Sequence, residues 1–453
     1  MAACLLPPDA HVAIVGGGFA GALLAVNIVR FGGPRVTLIE RSPERLGRGL
    51  AYGAARPEQL LNVRAGGMSA FPDDPEHFTR WLRRHERDAP PFVRRRLYGL
   101  YLRELLEAAA AGSDGRLELR TAEARELRPD GAGWSLALPD ETLEADAVVL
   151  ASGNLPSPLP ARLSRDALLA GTYVADPWAA ALRVKPGGHV LLIGTGLTAI
   201  DVTLELIAGG AGTITMLSRR GLLPRAHDPA QPPVNPVREA PEGGLADLLR
   251  HTRRQAEMVG WRGAVDALRP VTQTLWARAD EGTRRRFLRH LRAWWDVHRH
   301  RIAPGVATQL EALRDEGRLQ VIAGALVAFA AREERAIARF RRRGQTQVEE
   351  LEADLVVNCT GVGGDLLATH DPLLVAALAQ GLIRPDPLRL GIDCDAQGRV
   401  VGADGQVRDN LLCLGPLTRG ALWETTAVPD IRRQAWTLGR RLANAHWVEG
   451  EGL

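Results

Sequence analysis

The chain has 453 residues, of which 45% are hydrophobic and 24% charged, proportions typical of a soluble globular protein with more than one domain. The net charge of +4 is the small difference between 57 basic and 53 acidic residues, which argues against nucleic-acid binding. The four cysteines include no C-x-x-C pair and no metal-ligand spacing. This argues against a disulfide framework, a metal site and a dithiol redox centre, and favours a cytoplasmic protein.

The stretch from His11 to Glu40 predicts a strand, a glycine turn, a helix and a second strand. Val12–Val15 is a continuous apolar run, as in a parallel strand that is covered on both faces. A G-x-G-x-x-G pattern follows it, formed by Gly16, Gly18 and Gly21. The first glycine permits a tight turn, the second admits a pyrophosphate, and the third lets the helix pack on the strand. Glu40, at the end of the second strand, is placed to accept from ribose hydroxyls.

The uncharged run Val12–Val29 also has the composition of a membrane or signal segment. The glycines interrupt this run and no basic residue precedes it, so we prefer the dinucleotide unit and expect no membrane anchor.

Several further elements are expected before the middle of the chain. Arg41–Asp74 lacks periodicity and predicts a long ordered loop. The patterns then predict two helices, Pro75–His85 and Leu97–Ala111. A β-meander is expected next, formed by Leu117–Thr121, Trp134–Leu138 and the lead into Asp146. An apolar strand, Ala147–Leu150, follows it. The proline-rich run at 156–160 marks the first domain boundary.

A second dinucleotide unit begins at the apolar strand His189–Ile193. Its glycine turn is a G-x-G-x-x-A, Gly194 to Ala199, and the following helix leads to a strand, Thr213–Leu217. Two such fingerprints in one chain are far more specific than one. They predict one dinucleotide that is held permanently and one that exchanges.

The second of these strands ends in Ser218, Arg219 and Arg220, where an acid would favour a ribose 2′-hydroxyl. Arginine at this position suits a 2′-phosphate and therefore predicts NADPH, with Gly194, Gly196, Thr198 and Ser218 as further contacts. The alternative is that both arginines are ordinary surface residues.

Gly244–Arg314 is predicted to be helical and is rich in arginine. At helical spacing, Phe287, Leu291, Trp294 and His298 share one face, which predicts a core-packed face opposite a solvated arginine face. The alternative is that Trp294 or His298 lines a substrate pocket.

The last third of the chain is expected to complete the first domain. The strand Asp354–Asn358 predicts the return to that domain, Leu411–Leu414 predicts its last strand, and a C-terminal helix is expected at Pro429–Ala445. We therefore predict an α/β fold with two Rossmann-like dinucleotide-binding domains, the second inserted in the first. The first domain would comprise residues 1–160 and 351–453, and the second residues 161–350, with a helical insertion at about 240–315.

Four segments, GRGLAYG, LLNVRAGGMSAFPDD, FLRHLRAWWDVHRHRIAP and WETTAVPDIR, resemble the bacterial FAD-NAD(P)-binding flavoprotein monooxygenase family. The family includes a FAD-dependent urate hydroxylase type and relatives that oxygenate amino-acid nitrogen. The resemblance implies that the ADP half of FAD is held by Gly16, Gly18, Gly21 and Glu40. It also implies that Arg48 contacts the pyrophosphate and that the Gly47–Gly53 and Asn62–Met68 loops approach the flavin.

On the same resemblance, Gly415 and Thr425–Val428 close over the flavin from the other side. Asn62 and Arg64 are the candidates for contacts with the flavin or with an anionic substrate. The alternative is that these two polar side chains only stabilise their loop.

The resemblance implies a NADPH-dependent, single-component FAD monooxygenase that works through a flavin C4a-hydroperoxide on a small molecule and O2. Urate, giving 5-hydroxyisourate, is the most specific substrate, and N-hydroxylation of an amino acid or amine is the alternative. Two other classes remain open. One is a reductase that passes electrons to a partner protein, and the other is an RNA-binding flavoprotein with Arg284–Arg301 as its basic groove.

Overall fold

The computed structural model of the chain describes residues 6–7, 9–157, 171–179 and 181–445. They form two compact units. The first unit runs to Leu155 and resumes at Gly364, and the second spans Pro156–Gly363. Each unit contains a largely parallel sheet with helices, which confirms the predicted α/β class. Pro158 and Pro160, part of the predicted boundary, lie outside the described residues.

Elements are numbered in chain order. The strands are β1 (His11–Val15), β2 (Arg35–Glu40), β3 (Leu117–Thr121), β4 (Glu126–Asp130), β5 (Gly133–Ala137), β6 (Thr142–Ala145), β7 (Ala147–Leu150), β8 (Tyr173–Val174), β9 (His189–Ile193), β10 (Thr213–Ser218), β11 (Leu319–Arg332), β12 (Arg335–Arg342), β13 (Val348–Ala353), β14 (Leu355–Asn358), β15 (Arg399–Val401) and β16 (Val407–Cys413). The α-helices of the described residues are α1 (Phe19–Arg30), α2 (Gly49–Gly53), α3 (His77–His85), α4 (Arg95–Ala111), α5 (Leu197–Ala208), α6 (Leu245–Leu268), α7 (Thr272–Arg278), α8 (Glu281–Arg286), α9 (Arg292–Arg299), α10 (Pro304–Asp315), α11 (Pro372–Ala379) and α12 (Val428–Leu442).

The first sheet has the strand order β15-β16-β7-β1-β2-β3 and is parallel except for the edge strand β15. Val12, Ala13 and Ile14 of the central strand β1 are fully buried. Helix α1 packs against β2, α4 and the C-terminal helix α12. The continuous apolar run that predicted β1 therefore reflects a strand that is covered on both faces.

The predicted β-meander is partly wrong. Leu117–Thr121 is β3, which pairs in parallel with β2 at the edge of the first sheet. The three-stranded antiparallel sheet contains β4, β5 and β6 instead. Of the β4 residues only Leu127 is buried, so this strand gave no apolar pattern from which to predict it.

The second sheet has the order β13-β12-β11-β10-β9-β14-β8. Strands β8, β14, β9, β10 and the start of β11 run parallel, and β11, β12 and β13 continue as antiparallel hairpins. The predicted return of the chain at Asp354–Asn358 is therefore wrong, because β14 pairs with β9 of the second unit. It stands beside β9 as β7 stands beside β1, and a buried apolar strand looks the same in either sheet.

The segment predicted as a long loop, Arg41–Asp74, contains short helical elements. They are a 3-10 turn at Pro43–Arg45, helix α2 and a second 3-10 turn at Ala65–Gly67. This segment is part of the first unit.

Helices α6 to α10 form the predicted helical insertion, but its expected buried face is wrong. Phe287–Leu291 forms a π-helical turn between α8 and α9. The wider turn shifts the helical phase, so Phe287, Leu291 and His298 are only partly covered and Trp294 is 41% exposed. In α9 the buried residue is Val297 instead.

Hydrogen bonds around His11, here called the histidine clasp, join β1 to β2 and to the segment where β6 leads into β7. The backbone N–H of His11 donates to Asp146 Oδ2 at 2.7 Å, and its Nδ1 lies 2.7 Å from the carbonyl oxygen of Glu144. A carbonyl oxygen only accepts, so Nδ1 carries the proton. Nε2 lies 2.8 Å from the hydroxyl oxygen of Thr37.

The second unit repeats this clasp. The N–H of His189 donates to Asp354 Oδ2 at 2.7 Å, Nδ1 donates to the Glu352 carbonyl at 2.9 Å, and Nε2 accepts from Thr215 at 2.9 Å. Burial lowers the pKa of His11 and of His189 below the ordinary value. Both imidazoles are thus held in their neutral form.

These clasps predict loss of stability in mild acid. Because the folded state lowers the histidine pKa, the unfolded chain binds more protons once the pH falls below about 6.5. The stabilisation is complete above that pH, and we expect the melting temperature to drop between about pH 7 and about pH 5. The measurement is calorimetry on wild type, His11→Asn and His189→Asn. Each variant should show a flatter pH dependence over this window, and slopes equal to wild type would contradict the assignment.

Candidate dinucleotide sites

Gly16 and Gly21 have the geometry that the first fingerprint requires. Gly16 has φ +105°, and a Cβ there would lie 2.4 Å from the carbonyl oxygen of Ala151. At Gly21 a Cβ would lie 2.0 Å from the carbonyl oxygen of Gly16. Any other residue at either position would push the turn away from its neighbour. The first glycine therefore makes the turn and the third lets α1 pack on β1.

Gly18 lies against the Gly47–Gly53 segment, which follows β2. It is the N-cap of α1, and a Cβ there would meet Gly49 Cα at 3.2 Å. The N–H of Gly47 donates to the carbonyl oxygen of Gly17 at 2.8 Å. No side chain of the described residues caps α1, and its first turn contains no acid. The N–H groups at the start of this helix suit a pyrophosphate.

Glu40 at the end of β2 is bonded to the glycine turn itself. Its Oε2 accepts from the N–H of Gly17 at 3.0 Å, and its Oε1 accepts from the N–H of Ser42 at 3.1 Å. Burial raises the pKa of Glu40, and the two backbone donors oppose that rise. Each carboxylate oxygen keeps a further lone pair for a ribose hydroxyl.

Sequence reasoning missed the middle glycine of this turn. A Cβ on Gly17 would lie 2.7 Å from the Cβ of Glu40. The strand end approaches the turn so closely that only glycine fits between them. The signal was present in the unbroken run Gly16–Gly18, where the fingerprint specifies only the outer two residues.

Arg48 is bound to its own loop. Its Nη2 donates to the carbonyl oxygen of Glu44 at 2.6 Å, and burial lowers its pKa. Asn62 is half-buried and Arg64 exposed, and both precede or begin the turn at Ala65–Gly67. The roles of these three side chains toward FAD or a substrate remain predictions.

Gly415 follows the last strand with φ +74°, and a Cβ there would lie 3.0 Å from the Cβ of Ala20 on α1. Its N–H donates to Gln434 Oε1 at 2.9 Å, and Gln434 Nε2 donates to the hydroxyl of Thr418 at 3.1 Å. Helix α12 thus holds the Gly415 turn over the start of α1. Gln434 carries no sequence signal, because a glutamine in an amphipathic helix is ordinary.

The predicted closing segment, Thr425–Val428, leads directly into α12. Thr425 is buried and its hydroxyl donates to the carbonyl oxygen of Leu422. Further along α12, Arg432 Nη1 donates to the carbonyl oxygen of Ser69 at 2.9 Å. The C-terminal helix therefore contacts the chain just after the Asn62–Met68 loop.

The glycine turn of the second unit has the same geometry and is open. Gly194 has φ +123°, and a Cβ there would lie 2.1 Å from the carbonyl oxygen of Cys359. Gly196 is exposed, with nothing within 4 Å of a Cβ, and it begins α5 without a side-chain cap. Thr198 is half-buried in the first turn of α5. The second turn is thus accessible where the first is covered.

The hydroxyl group of Ser218 is hydrogen-bonded within its own turn. Thr195 donates to the carbonyl oxygen of Leu222 at 2.6 Å, so its partner at 3.0 Å, the Ser218 hydroxyl, must donate to it. Ser218 Oγ also accepts from the N–H of Gly221 at 3.0 Å. In this arrangement the hydroxyl proton of Ser218 is donated to Thr195, and the contact of Ser218 with NADPH remains a prediction.

The two arginines after β10 are not equivalent. Arg219 is exposed, and no hydrogen bond or ion pair involves its side chain within the described chain. Arg220 Nη2 donates to the carbonyl oxygen of His290 at 3.1 Å, and its guanidinium lies 5.9 Å from the centroid of the Trp294 ring. Arg219 is therefore the better placed of the two for an anionic ligand.

Comparison with known proteins agrees with this geometry. Residues 13–155 match the model of the FAD-NAD(P)-binding family. This match to a family of FAD-NAD(P)-binding proteins agrees with the prediction of FAD and a nicotinamide dinucleotide as cofactors. No curated protein sequence matches the chain.

Solved structures share the fold over nearly the whole chain. The cadaverine monooxygenase of desferrioxamine biosynthesis from Erwinia amylovora has a TM-score of 0.69 at 12% identity, covering 97% of this chain and 95% of its own. The ornithine N-hydroxylase of Kutzneria sp. 744, solved with reduced FAD, NADP+ and L-ornithine, has a TM-score of 0.62 at 16% identity, covering 96% and 99%. The thioredoxin reductase of T. acidophilum has a TM-score of 0.53 at 13% identity, covering 97% and 99%.

One further property concerns membranes. Within the described ranges, no helix combines the length and the apolar character needed to cross a lipid bilayer.

The two glycine turns offer a matched pair of variants. In Gly18→Val the side chain would collide with Gly49 and block the pyrophosphate, so we expect colourless or unstable protein. In Gly196→Val the side chain enters open space, so we expect folded yellow protein that binds NADPH poorly. Flavin absorbance and coenzyme titration measure both effects. Full flavin content in Gly18→Val would contradict the FAD assignment.

Proposed function

We propose that the protein is a NADPH-dependent, single-component FAD monooxygenase that hydroxylates the nitrogen of a small amine or amino acid. The proposal rests on the full-length likeness to an ornithine N-hydroxylase and a cadaverine monooxygenase, whose TM-scores exceed that of thioredoxin reductase. The reaction balances as amine, O2, NADPH and a proton giving hydroxylamine, water and NADP+. Both electrons of the hydride serve to reduce the second oxygen atom to water.

Bound FAD would accept hydride from the nicotinamide and activate O2. The protein binds and orients these two cofactors. Gly16, Gly18 and Gly21 bring the N–H groups of α1 to the pyrophosphate, and Glu40 accepts from the ribose. Gly415, held by Gln434, lies over the start of the same helix.

The cysteines disfavour disulfide reductase chemistry. The sequence has no C-x-x-C, and Cys359, Cys394 and Cys413 are free and buried. Burial raises the pKa of the Cys359 thiol, and a hydrogen bond with Cys394 together with burial raises that of Cys413. A thiol in these surroundings stays protonated and is a poor nucleophile. The oxygenase class is therefore preferred over a reductase that uses thiols.

The comparisons give no support to the urate prediction, since the proteins named above act on amines, an amino acid or thioredoxin. Urate is retained only as one compound in the substrate test.

The substrate class is tested by NADPH oxidation and O2 uptake with lysine, ornithine, cadaverine, other amines and urate. We expect one amine or amino acid to speed both rates together and to yield a hydroxylamine that is one oxygen heavier by mass spectrometry. Stimulation by urate alone would show that the substrate class is wrong. Electron transfer to a partner protein, with no small molecule stimulating O2 uptake, would favour the reductase.

The coenzyme preference is tested at Arg219. An exposed guanidinium at the end of β10 can bind a 2′-phosphate through two parallel hydrogen bonds. Loss of such a charge-assisted contact costs on the order of 1.5–3 kcal/mol, so Arg219→Ala should lower kcat/KM for NADPH about 10- to 150-fold. The value for NADH, which lacks the phosphate, should barely change.

Arg220→Ala is the matched comparison, because Arg220 is already bonded to His290. It should affect the NADPH value less than Arg219→Ala does. Equal use of NADPH and NADH by wild type would overturn the assignment. So would a proportional loss of both coenzymes in Arg219→Ala.

A further inference from the structure

We infer that Trp294, in the helical insertion, is the side chain on which the adenine ring of the nicotinamide coenzyme stacks. This inference rests on the proposed NADPH-dependent function and adds a binding residue that the fingerprint does not contain. The ligand class is a purine nucleotide, and the contact is with its flat apolar face.

Trp294 lies close to the residues that follow strand β10. The side chain at the end of the second strand of a dinucleotide unit marks the place of the adenosine ribose. In this unit that strand is β10, and Arg220 follows it. Arg220 donates to the carbonyl oxygen of His290 in the π-helical turn, and its guanidinium lies 5.9 Å from the Trp294 ring. The insertion therefore borders the adenosine end of the site, and Trp294 is an aromatic residue of the insertion that lies there.

Trp294 is exposed to solvent. Trp294 lies on a helix face predicted to be buried, yet 41% of the residue is accessible to solvent. The π-helical turn before it changes the phase of α9 and carries the indole out of the core. An exposed tryptophan next to Arg220 combines an apolar π-face with positive charge, which is the chemistry that recognises a base and its phosphate.

The backbone of Trp294 is held in place by a neighbouring side chain. His298 Nδ1 donates to the carbonyl oxygen of Trp294 at 2.8 Å, and the His298 ring packs edge to face on Trp261 at 4.7 Å. Arg220 adds a second tie through His290. An indole on an ordered helix loses little conformational entropy when a base stacks on it.

Stacking and phosphate binding have different signatures. Adenine is common to NADPH and NADH, whereas the 2′-phosphate is not. Loss of Trp294 should therefore weaken both coenzymes by the same factor, while loss of Arg219 should weaken only NADPH. This difference separates the two sites by kinetics alone.

The test compares Trp294→Ala, Trp294→Phe and Met258→Ala, with flavin content and melting temperature as checks on folding. Trp294→Ala should raise KM for NADPH and NADH by the same factor, roughly 5- to 30-fold, with kcat little changed. It should raise the inhibition constant of adenosine 2′,5′-bisphosphate by a similar factor. Trp294→Phe should recover most of the loss. Met258→Ala removes a more exposed side chain, 68% accessible, from the same insertion and should change nothing.

The outcomes separate this inference from the function on which it rests. If wild type oxidises neither NADPH nor NADH, the proposed function fails and the inference fails with it. If wild type uses NADPH but Trp294→Ala binds both coenzymes as wild type does, only the stacking role is overturned. Selective loss of NADPH in Trp294→Ala would also overturn it, because the indole would then act through Arg220 on the phosphate.

Discussion

In each unit, the fold depends on one close approach between a glycine turn and the end of a neighbouring strand. The Cβ that Gly16 lacks would lie 2.4 Å from the carbonyl oxygen of Ala151, and the one that Gly194 lacks 2.1 Å from that of Cys359. No side chain fits within either distance. Glycine therefore lets the carboxyl ends of two adjacent parallel strands come together, and this meeting sets where the next helix begins and where its free N–H groups point.

The two units share this construction and differ where a ligand would approach. In the first unit, a segment after β2 places Gly49 against Gly18, and the carboxylate of Glu40 is bonded to the turn. In the second unit Gly196 faces open space, and Ser218 stands where the first unit has Glu40. The same backbone thus forms one covered site and one open site, which suits a resident cofactor and a coenzyme that exchanges.

Local sequence patterns predict where strands lie better than they predict which strands pair. Continuous apolar runs placed β1, β7 and β9 almost to the residue, because a strand covered on both faces must be apolar throughout. The same runs say nothing about which strand lies alongside. For that reason β3 was expected in the meander and β14 in the first sheet.

The site shows the same limit. The glycine spacing indicated the turns because it encodes a steric requirement within a few residues. The commitment of Ser218 to Thr195 depends on a partner 23 residues away, and no local pattern reports such a bond. The exposure of Trp294 depends on a single wide helical turn, which changes the helical phase of the residues that follow it. The turn contains no glycine or proline from which it could be predicted.

The insertion of the second unit also sets an order of assembly. Strand β7 ends at Leu150, but its partner β16 begins at Val407, so the first sheet lacks a central neighbour until most of the chain has been synthesised. Helix α12, which packs on α1, comes later still. The second unit is continuous in sequence and all its strands precede β16, so on the ribosome it completes its sheet first. The first unit therefore closes after the second, because β16 must pair with β7 across a long sequence separation.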